Sequence, residues 1–210
     1  MEHGVVVRFQ VYTKADAKFS GRVVVPVLWD THTSTIVSNE SADIMRMFNS
    51  QFTAFAEPGS VDYYPEALRD QIDAMNDKVA PNINLGVYKC GFASTQRDYD
   101  TAVTALFGCL DELERLLASQ AYLCGSVLTE ADWRLLPTLL RFDCVYVALF
   151  KCNLRLLCSY PRLHAYMRKL YAHNGVKECV DFEHIKRSYF TGFLNLNPHG
   201  IIPAGPENFL

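Results

Sequence analysis

The stretch Thr-Glu-Ala-Asp-Trp-Arg-Leu-Leu-Pro-Thr-Leu-Leu-Arg, residues 129–141, is the most apolar helical segment of this 210-residue chain. Thr129 is a favourable N-cap residue, and Asp132 three positions later completes a capping-box pattern. Apolar side chains then surround the helix almost completely, which predicts a central, buried position. Pro137 lies inside the helix and predicts a kink.

Apolar residues recur at helical spacing in three further segments, at residues 68–79, 103–117 and 163–170. Pro65 suits the start of the first of these helices, and Pro81 is expected to stop it. A short helix is expected over 176–188. The last 20 residues are rich in proline and glycine, which predicts an extended tail.

The first 40 residues are predicted to be β-structure. Residues 5–7 form a weak strand candidate, and residues 23–29 form a strong one that returns through a polar turn at 35–37, as in a hairpin. Pro26 cannot donate to a ladder, so it belongs at the strand's start or at a cis bond. A helix is expected to begin near Ser41, followed by a turn-rich linker at 55–62.

The composition excludes several classes of protein. Hydrophobic residues make up 50% and charged residues 20%, which is typical of a packed globular chain. Twenty basic against 23 acidic residues give a net charge of −3, which argues against nucleic-acid binding. The chain shows no signal-peptide pattern and no membrane-length apolar run, so we expect a soluble protein without membrane contact. Seven cysteines without a Cys-x-x-Cys pair favour a reduced, intracellular protein.

Several stretches carry a resemblance to glutathione transferases. Two of them, Gly86-Val87-Tyr88-Lys89-Cys90-Gly91-Phe92-Ala93 and Phe150-Lys151-Cys152-Asn153-Leu154, are specific to the Xi class, the glutathionyl-hydroquinone reductases. Further matching stretches are Val25-Pro26-Val27-Leu28-Trp29-Asp30, Ile36-Val37-Ser38-Asn39-Glu40-Ser41 and His184-Ile185-Lys186-Arg187. The resemblance covers about residues 12–206. It implies an α+β chain: a partial thioredoxin-like domain over 1–57, a hairpin plus one helix, and an all-α glutathione transferase C-terminal domain over 58–210.

The sequence departs from the resembled family in one respect. Family members carry a nucleophilic cysteine in a Cys-Pro-Trp-Ala-like motif, which here would fall before residue 12, and no cysteine of this chain precedes a proline. In the full-length form the resemblance implies that this thiolate attacks the glutathione sulfur of a glutathionyl-hydroquinone, and a second glutathione resolves the mixed disulfide. We therefore assign no catalytic residue, and expect a chain that is truncated at its N-terminus and inactive as it stands.

The resemblance also assigns residues that bind glutathione. It implies that Pro26 is cis and that the backbone of Val25 pairs with the cysteinyl part of the ligand. It places the γ-glutamyl end at a helix N-terminus, with its carboxylate on Ser41 and its ammonium on Glu40. A sheet-edge proline and an ordinary helix cap are the alternatives for these residues.

For the aromatic substrate, the resemblance assigns three tyrosines, Tyr88, Tyr146 and Tyr189. A phenol can donate to a quinone or hydroquinone oxygen while its ring packs on the substrate. Arg141 is expected to place positive charge near the same pocket, or else to pair with Asp143 or Asp132. Ordinary core or surface packing is the alternative for the tyrosines.

No metal site is expected, because the spacing of Cys179, His164, His173 and His184 matches no zinc pattern. Glutathione is the implied co-substrate, and a cytoplasmic homodimer is the implied assembly. The alternative function is a non-catalytic binding or interaction protein of the glutathione transferase type. A shortened gene product of a complete enzyme is the third interpretation.

Overall fold

The computed structural model describes residues 8–207, 209 and 210, and the chain divides into two compact units, Met1–Tyr64 and Pro65–Leu210. The division falls a few residues beyond the boundary expected after residue 57. The strand candidate at residues 5–7 lies outside the described residues. No helix in the described part of the chain is both long enough and apolar enough to cross a membrane.

The first unit contains a two-stranded sheet and two helices. Helix α1 (Arg8–Ala15) comes first, strands β1 (Leu28–Asp30) and β2 (Thr35–Ser38) form an antiparallel hairpin, and helix α2 (Ser41–Ser50) follows. The predicted hairpin and the helix from Ser41 are confirmed. The expectation of β-structure throughout the first 40 residues is wrong, because residues 8–15 are helical.

Strand β1 is shorter than the 23–29 run predicted, and Tyr12 of α1 explains why. The hydroxyl of the buried Tyr12 donates to the Val24 carbonyl at 2.8 Å and accepts a hydrogen bond from the Val24 amide at 3.3 Å. The backbone of Val24 is therefore bonded to a side chain rather than to a ladder. The next peptide bond, Val25–Pro26, is cis, as the resemblance implied, and Pro26 has no amide to offer.

The second unit is helical throughout its regular structure, which confirms the α+β class with an all-α second part. Its helices are α3 (Arg69–Val79), α4 (Gly86–Gly91), α5 (Gln96–Leu116), α6 (Glu130–Arg141), the single turn α7 (Val147–Leu149), α8 (Pro161–Tyr171) and α9 (Phe182–Gly192). The apolar faces of α3, α5, α6 and α8 form its core, with Ile72, Leu106, Leu135 and Leu163 fully buried. Residues after Phe193 form no regular helix or strand up to 207, as predicted for the tail.

Helix α6 occupies the central, buried position that its sequence predicts. The capping box between Thr129 and Asp132 is present. Asp132 is fully buried and accepts hydrogen bonds from the Leu123 amide at 2.8 Å, the Thr129 amide at 2.8 Å and the Tyr166 hydroxyl at 2.7 Å. One carboxylate thus ties α6 to the loop before it and to α8.

Two π-helical turns interrupt the regular helices, and the sequence predicted neither. The first, Ala80–Asn84, contains Pro81, so the α-helix ends before the proline but the chain stays helical into α4. The second, Phe142–Tyr146, follows α6 directly and leads into α7. Such turns re-aim the side chains that follow them and are frequent at functional sites.

The two capping motifs Thr129–Asp132 and Thr95–Asp98 allow a matched test of burial. Asp98 has the same position relative to its Thr cap but is exposed. We expect Asp132→Ala to lower the free energy of unfolding by about 3 kcal/mol or more, because several buried donors lose their acceptor at ~1–3 kcal/mol each. Asp98→Ala should cost about 1 kcal/mol or less. Urea unfolding of both variants measures the difference, and equal losses would contradict it.

Candidate functional site

In the first unit, the hairpin brings the backbone around Val25 and the start of α2 to the same end of the sheet. Leu28 and Ser38 form the last pair of the ladder. The residues before Leu28 and those after Ser38 therefore leave the sheet at the same end. The Tyr12 hydroxyl joins the two segments, since it contacts Val24 and also accepts from the Asn39 side-chain amide at 3.1 Å. Val25 itself is 62% exposed. Its backbone is therefore accessible beside the helix N-terminus.

Glu40 and Ser41 are both exposed at the N-terminus of α2. Glu40, not Ser41, occupies the N-cap position, and no side-chain cap bond is formed there. The alternative of an ordinary Ser41 cap therefore fails. The first backbone amide to be used inside the helix is that of Ile44, which donates to Glu40 at 3.0 Å, so the preceding amides remain available for an anion.

In the second unit, the hydroxyls of Tyr88, Tyr146 and Tyr189 meet; we name these three residues the tyrosine cluster. The hydroxyl oxygen of Tyr189 lies 2.5 Å from that of Tyr88 and 3.0 Å from that of Tyr146. Three phenols carry three protons, and the two hydrogen bonds use two of them. The cluster can therefore donate one hydrogen bond to an acceptor outside itself.

The rings beneath these hydroxyls form a continuous aromatic wall. Phe150 stacks on Tyr146 with ring centroids 5.4 Å apart and lies 5.1 Å from Tyr88. Phe193 and the partly exposed Phe92 extend the wall, at 5.8 Å and 5.6 Å from Phe150. Phe150 is fully buried, so the apolar surface next to the hydroxyls is that of the exposed Phe92 and the half-buried Phe193.

Burial favours the neutral form of two phenols of the cluster, Tyr88 and Tyr146. Desolvation raises the pKa of Tyr88 and of Tyr146, and the nearby Tyr189 adds to the rise at both. The positive charge of Arg141 acts in the opposite direction at both residues. Neutral phenols are hydrogen-bond donors, so burial preserves the donor that the cluster offers.

Arg141 acts electrostatically on Tyr88 and Tyr146, where its positive charge opposes the rise in pKa. Its guanidinium donates to the Pro137 carbonyl at 2.8 Å. Arg141 does not pair with Asp143 or Asp132, the alternative that the sequence left open. Asp143 accepts hydrogen bonds from the amides of Leu157 and Cys158, and Asp132 accepts those of Leu123, Thr129 and Tyr166.

The other chemical candidates remain dispersed. Among the residues that the structure describes, no group of three or more histidine, cysteine or acidic side chains is placed to hold a metal ion. Two site residues escaped the sequence reasoning. Tyr12 was one of eleven tyrosines with no distinguishing pattern, and Phe150 was read only as part of a matching stretch.

The raised pKa values predict that Tyr88 and Tyr146 stay protonated in alkaline solution. We expect the double variant Tyr88→Phe/Tyr146→Phe and the wild type to develop equal phenolate absorbance up to about pH 11. Above about pH 10, the free energy of unfolding should fall more steeply with pH for the wild type than for the double variant, because unfolding frees both phenols to ionise at their ordinary pKa. A loss of absorbance in the double variant below that pH would contradict the assignment.

Comparison with known proteins places these features in a family. The family model described as the glutathione S-transferase C-terminal domain matches residues 93–169. The glutathionyl-hydroquinone reductase YqjG of Escherichia coli is 48% identical over 198 residues, covering 94% of this chain and 60% of the relative. The chain thus spans about three fifths of the length of this curated relative.

Solved structures agree with the sequence comparison. The glutathione-bound structure of YqjG superposes with a TM-score of 0.92, covering 95% of this chain and 65% of that one. Glutathione transferase Xi 1 of Trametes versicolor is 45% identical with a TM-score of 0.93, covering 96% of this chain and 70% of its own. The chain described here belongs to the Xi class of glutathione transferases, the family of the glutathionyl-hydroquinone reductases.

Proposed function

We propose that this chain provides the ligand-recognition parts of a glutathionyl-hydroquinone reductase. The observation that carries the proposal is the tyrosine cluster, in which three neutral phenols share two hydrogen bonds and keep one proton for an outside acceptor. A hydroquinone oxygen is such an acceptor, and the accessible rings of Phe92 and Phe193, which pack on the buried Phe150, suit the ring that bears it. The names of the relatives agree with this substrate class.

Glutathione binding is assigned to the first unit, taken by itself. The exposed backbone of Val25, held beside Asn39 by Tyr12 and followed by the cis Pro26, suits the cysteinyl peptide group. The free amides at the start of α2 and the Ser41 hydroxyl suit the γ-glutamyl carboxylate, while Glu40 suits its ammonium. The glutathione-bound structure of YqjG supports the choice of ligand.

The reaction of this class breaks a carbon–sulfur bond. A thiolate attacks the glutathione sulfur, the S–S bond of a mixed disulfide forms, and the electron pair of the C–S bond leaves with the hydroquinone carbon, which takes up a proton. Glutathione then attacks the mixed disulfide, releasing glutathione disulfide and restoring the thiol. Within these steps the tyrosine cluster holds the ring oxygen by hydrogen bonding, and Arg141 favours any negative charge that develops near the phenols.

A second function, a non-catalytic binding protein, is favoured by one feature of the sequence. None of the seven cysteines is followed by proline, so the 210 residues supply no Cys-Pro nucleophile. The two functions differ in turnover and agree in ligand binding. We expect the 210-residue chain to bind a glutathionyl-hydroquinone and not to reduce it.

We also propose a homodimer in the cytoplasm. All seven cysteines are unpaired, as is usual in a reducing compartment. Exposed aromatic side chains of the first unit, with Phe48 57% and Phe55 86% exposed, provide apolar surface of the kind that oligomers bury.

Removing the central hydroxyl of the tyrosine cluster should weaken substrate binding. Tyr189→Phe deletes the atom that joins Tyr88 to Tyr146, and we expect the affinity for a glutathionyl-hydroquinone to fall about tenfold, or ~1.4 kcal/mol. Calorimetric titration measures it. Tyr171→Phe, whose ring packs against Phe182 in α9, is the matched control and should bind like the wild type. Equal affinity in both variants would contradict the binding role of the tyrosine cluster. Turnover by the wild-type chain would contradict the expectation that these 210 residues bind the ligand without reducing it.

The glutathione assignment is tested separately. We expect Glu40→Ala/Ser41→Ala to reduce the affinity for glutathione at least tenfold, because a charge-assisted and a neutral hydrogen bond are lost together. Glu57→Ala/Ser60→Ala is the matched control, since this exposed pair lies in the same unit within a turn. The assignment fails if the first double variant retains wild-type affinity.

A further inference from the structure

Two cysteines of the second unit lie side by side in its core, and the proposed function uses neither. Cys90 is in the last turn of α4, and Cys152 follows α7 by three residues. Both are buried, with 1% and 0% of their surfaces exposed. The Cys152 thiol lies against the turn of α4 that contains Cys90, although the two cysteines are far apart in sequence.

Close packing between the two segments fixes this proximity. The Cys152 sulfur lies 3.8 Å from the carbonyl oxygen of Val87, one turn before Cys90 in α4. The Phe150 ring lies directly on Gly91, where a Cβ atom would be 2.4 Å from the ring carbon Cδ1. Only glycine allows an approach this close, so the end of α4 and residues 150–152 form one tightly packed junction.

The backbone at this junction is held in an uncommon conformation. Lys151, between Phe150 and Cys152, has a φ of +59°, in the left-handed region that non-glycine residues rarely adopt. The Tyr99 hydroxyl donates to the Lys151 carbonyl at 2.7 Å and so supports it. This conformation turns the chain so that Cys152 returns towards α4.

The other buried thiols of the unit lack this arrangement. The neighbouring Cys90 and burial both raise the pKa of Cys152. Burial raises the pKa of Cys109 and of Cys144 to about 11, and neither has a second thiol beside it. In the Cys90–Cys152 pair, a thiol that is oxidised first has a second thiol within the same junction to resolve it.

We propose that Cys90 and Cys152 are an oxidation site, which hydrogen peroxide converts to an intramolecular disulfide. One of the two cysteines, as its thiolate, attacks one peroxide oxygen, the O–O bond breaks, and the released hydroxide takes up the proton lost from that thiol to become water, leaving a sulfenic acid. The thiol of the other cysteine attacks that sulfur, the S–S bond forms, and the hydroxyl leaves with the thiol proton as a second water. Two thiols are thereby oxidised by two electrons, and one peroxide is reduced to two waters.

The disulfide would join two segments that carry the tyrosine cluster. Tyr88 lies two residues before Cys90 in α4, and Tyr146 lies six before Cys152. The Tyr146 carbonyl also accepts the Cys152 amide at 3.0 Å. A covalent link would thus fix the spacing of the two elements that position the outer phenols of the cluster.

The test is peptide mapping of the full chain after peroxide treatment. The exposed Cys158 and Cys179 are first replaced by serine, so that the surface thiols do not contribute. We expect a cross-linked peptide pair containing Cys90 and Cys152 to account for most of the Cys152 recovered, with intact mass lower by two hydrogen atoms. Dithiothreitol should restore the reduced mass.

Three variants in the same background complete the test. Cys90→Ala and Cys152→Ala should each abolish the cross-link, and Cys109→Ala, a buried cysteine outside the junction, should leave its yield unchanged. Circular dichroism establishes that each variant is folded. The proposal is overturned if the folded parent yields no Cys90–Cys152 peptide, or if the cross-link instead joins Cys109 or Cys144; the mapping of the parent decides this even where a variant does not fold.

Discussion

The buried carboxylate of Asp132 anchors the central helix of the helical unit. Asp132 has no exposed surface, and the donors around it come from three places in the chain: its own helix cap, the loop residue Leu123 and Tyr166 of α8. A carboxylate in the core is tolerable only when such donors surround it. Since α6 leads directly into the π-turn that carries Tyr146, the position of this phenol depends on the anchor.

The tyrosine cluster and the cysteine pair lie on the same two packed segments. Helix α4 follows the π-turn Ala80–Asn84, and Tyr146 is the last residue of the π-turn Phe142–Tyr146. The contact between Gly91 and the Phe150 ring lets the two segments approach within van der Waals distance, with phenols on one side and thiols near the other end of α4. An apolar wall, a donor group and a pair of thiols thus arise from the same few residues.

Local signals in the sequence predicted the parts of the fold that depend on local interactions. The capping box at Thr129 and Asp132 and the helix start at Ser41 are determined by neighbouring residues, and both were confirmed. Of the strand predicted at residues 23–29, the part before Leu28 does not form, because the Val24 backbone bonds to the side chain of Tyr12, which lies outside any local signal. The two π-turns were not predicted either.

The candidate site also depends on contacts between residues far apart in sequence. The resemblance named the three tyrosines, but Tyr189 lies 101 positions from Tyr88 and 43 from Tyr146, so local sequence could not predict the hydrogen bonds between them. For Arg141 the sequence left two partners open, Asp143 and Asp132, and did not predict its hydrogen bond to the Pro137 carbonyl. Composition could not separate Tyr12 from the other tyrosines, because its role depends on where a helix meets a loop.

The linear order of the three phenols has a consequence for how they present a proton. Tyr189 lies in the middle, so its hydroxyl can donate to either neighbour or accept from both. Rotation about the C–O bonds moves the spare proton from Tyr88 to Tyr189 to Tyr146 without displacing a ring. The cluster therefore has one spare donor with three possible positions, of which the two on the half-buried Tyr88 and Tyr189 are open to an acceptor outside the cluster.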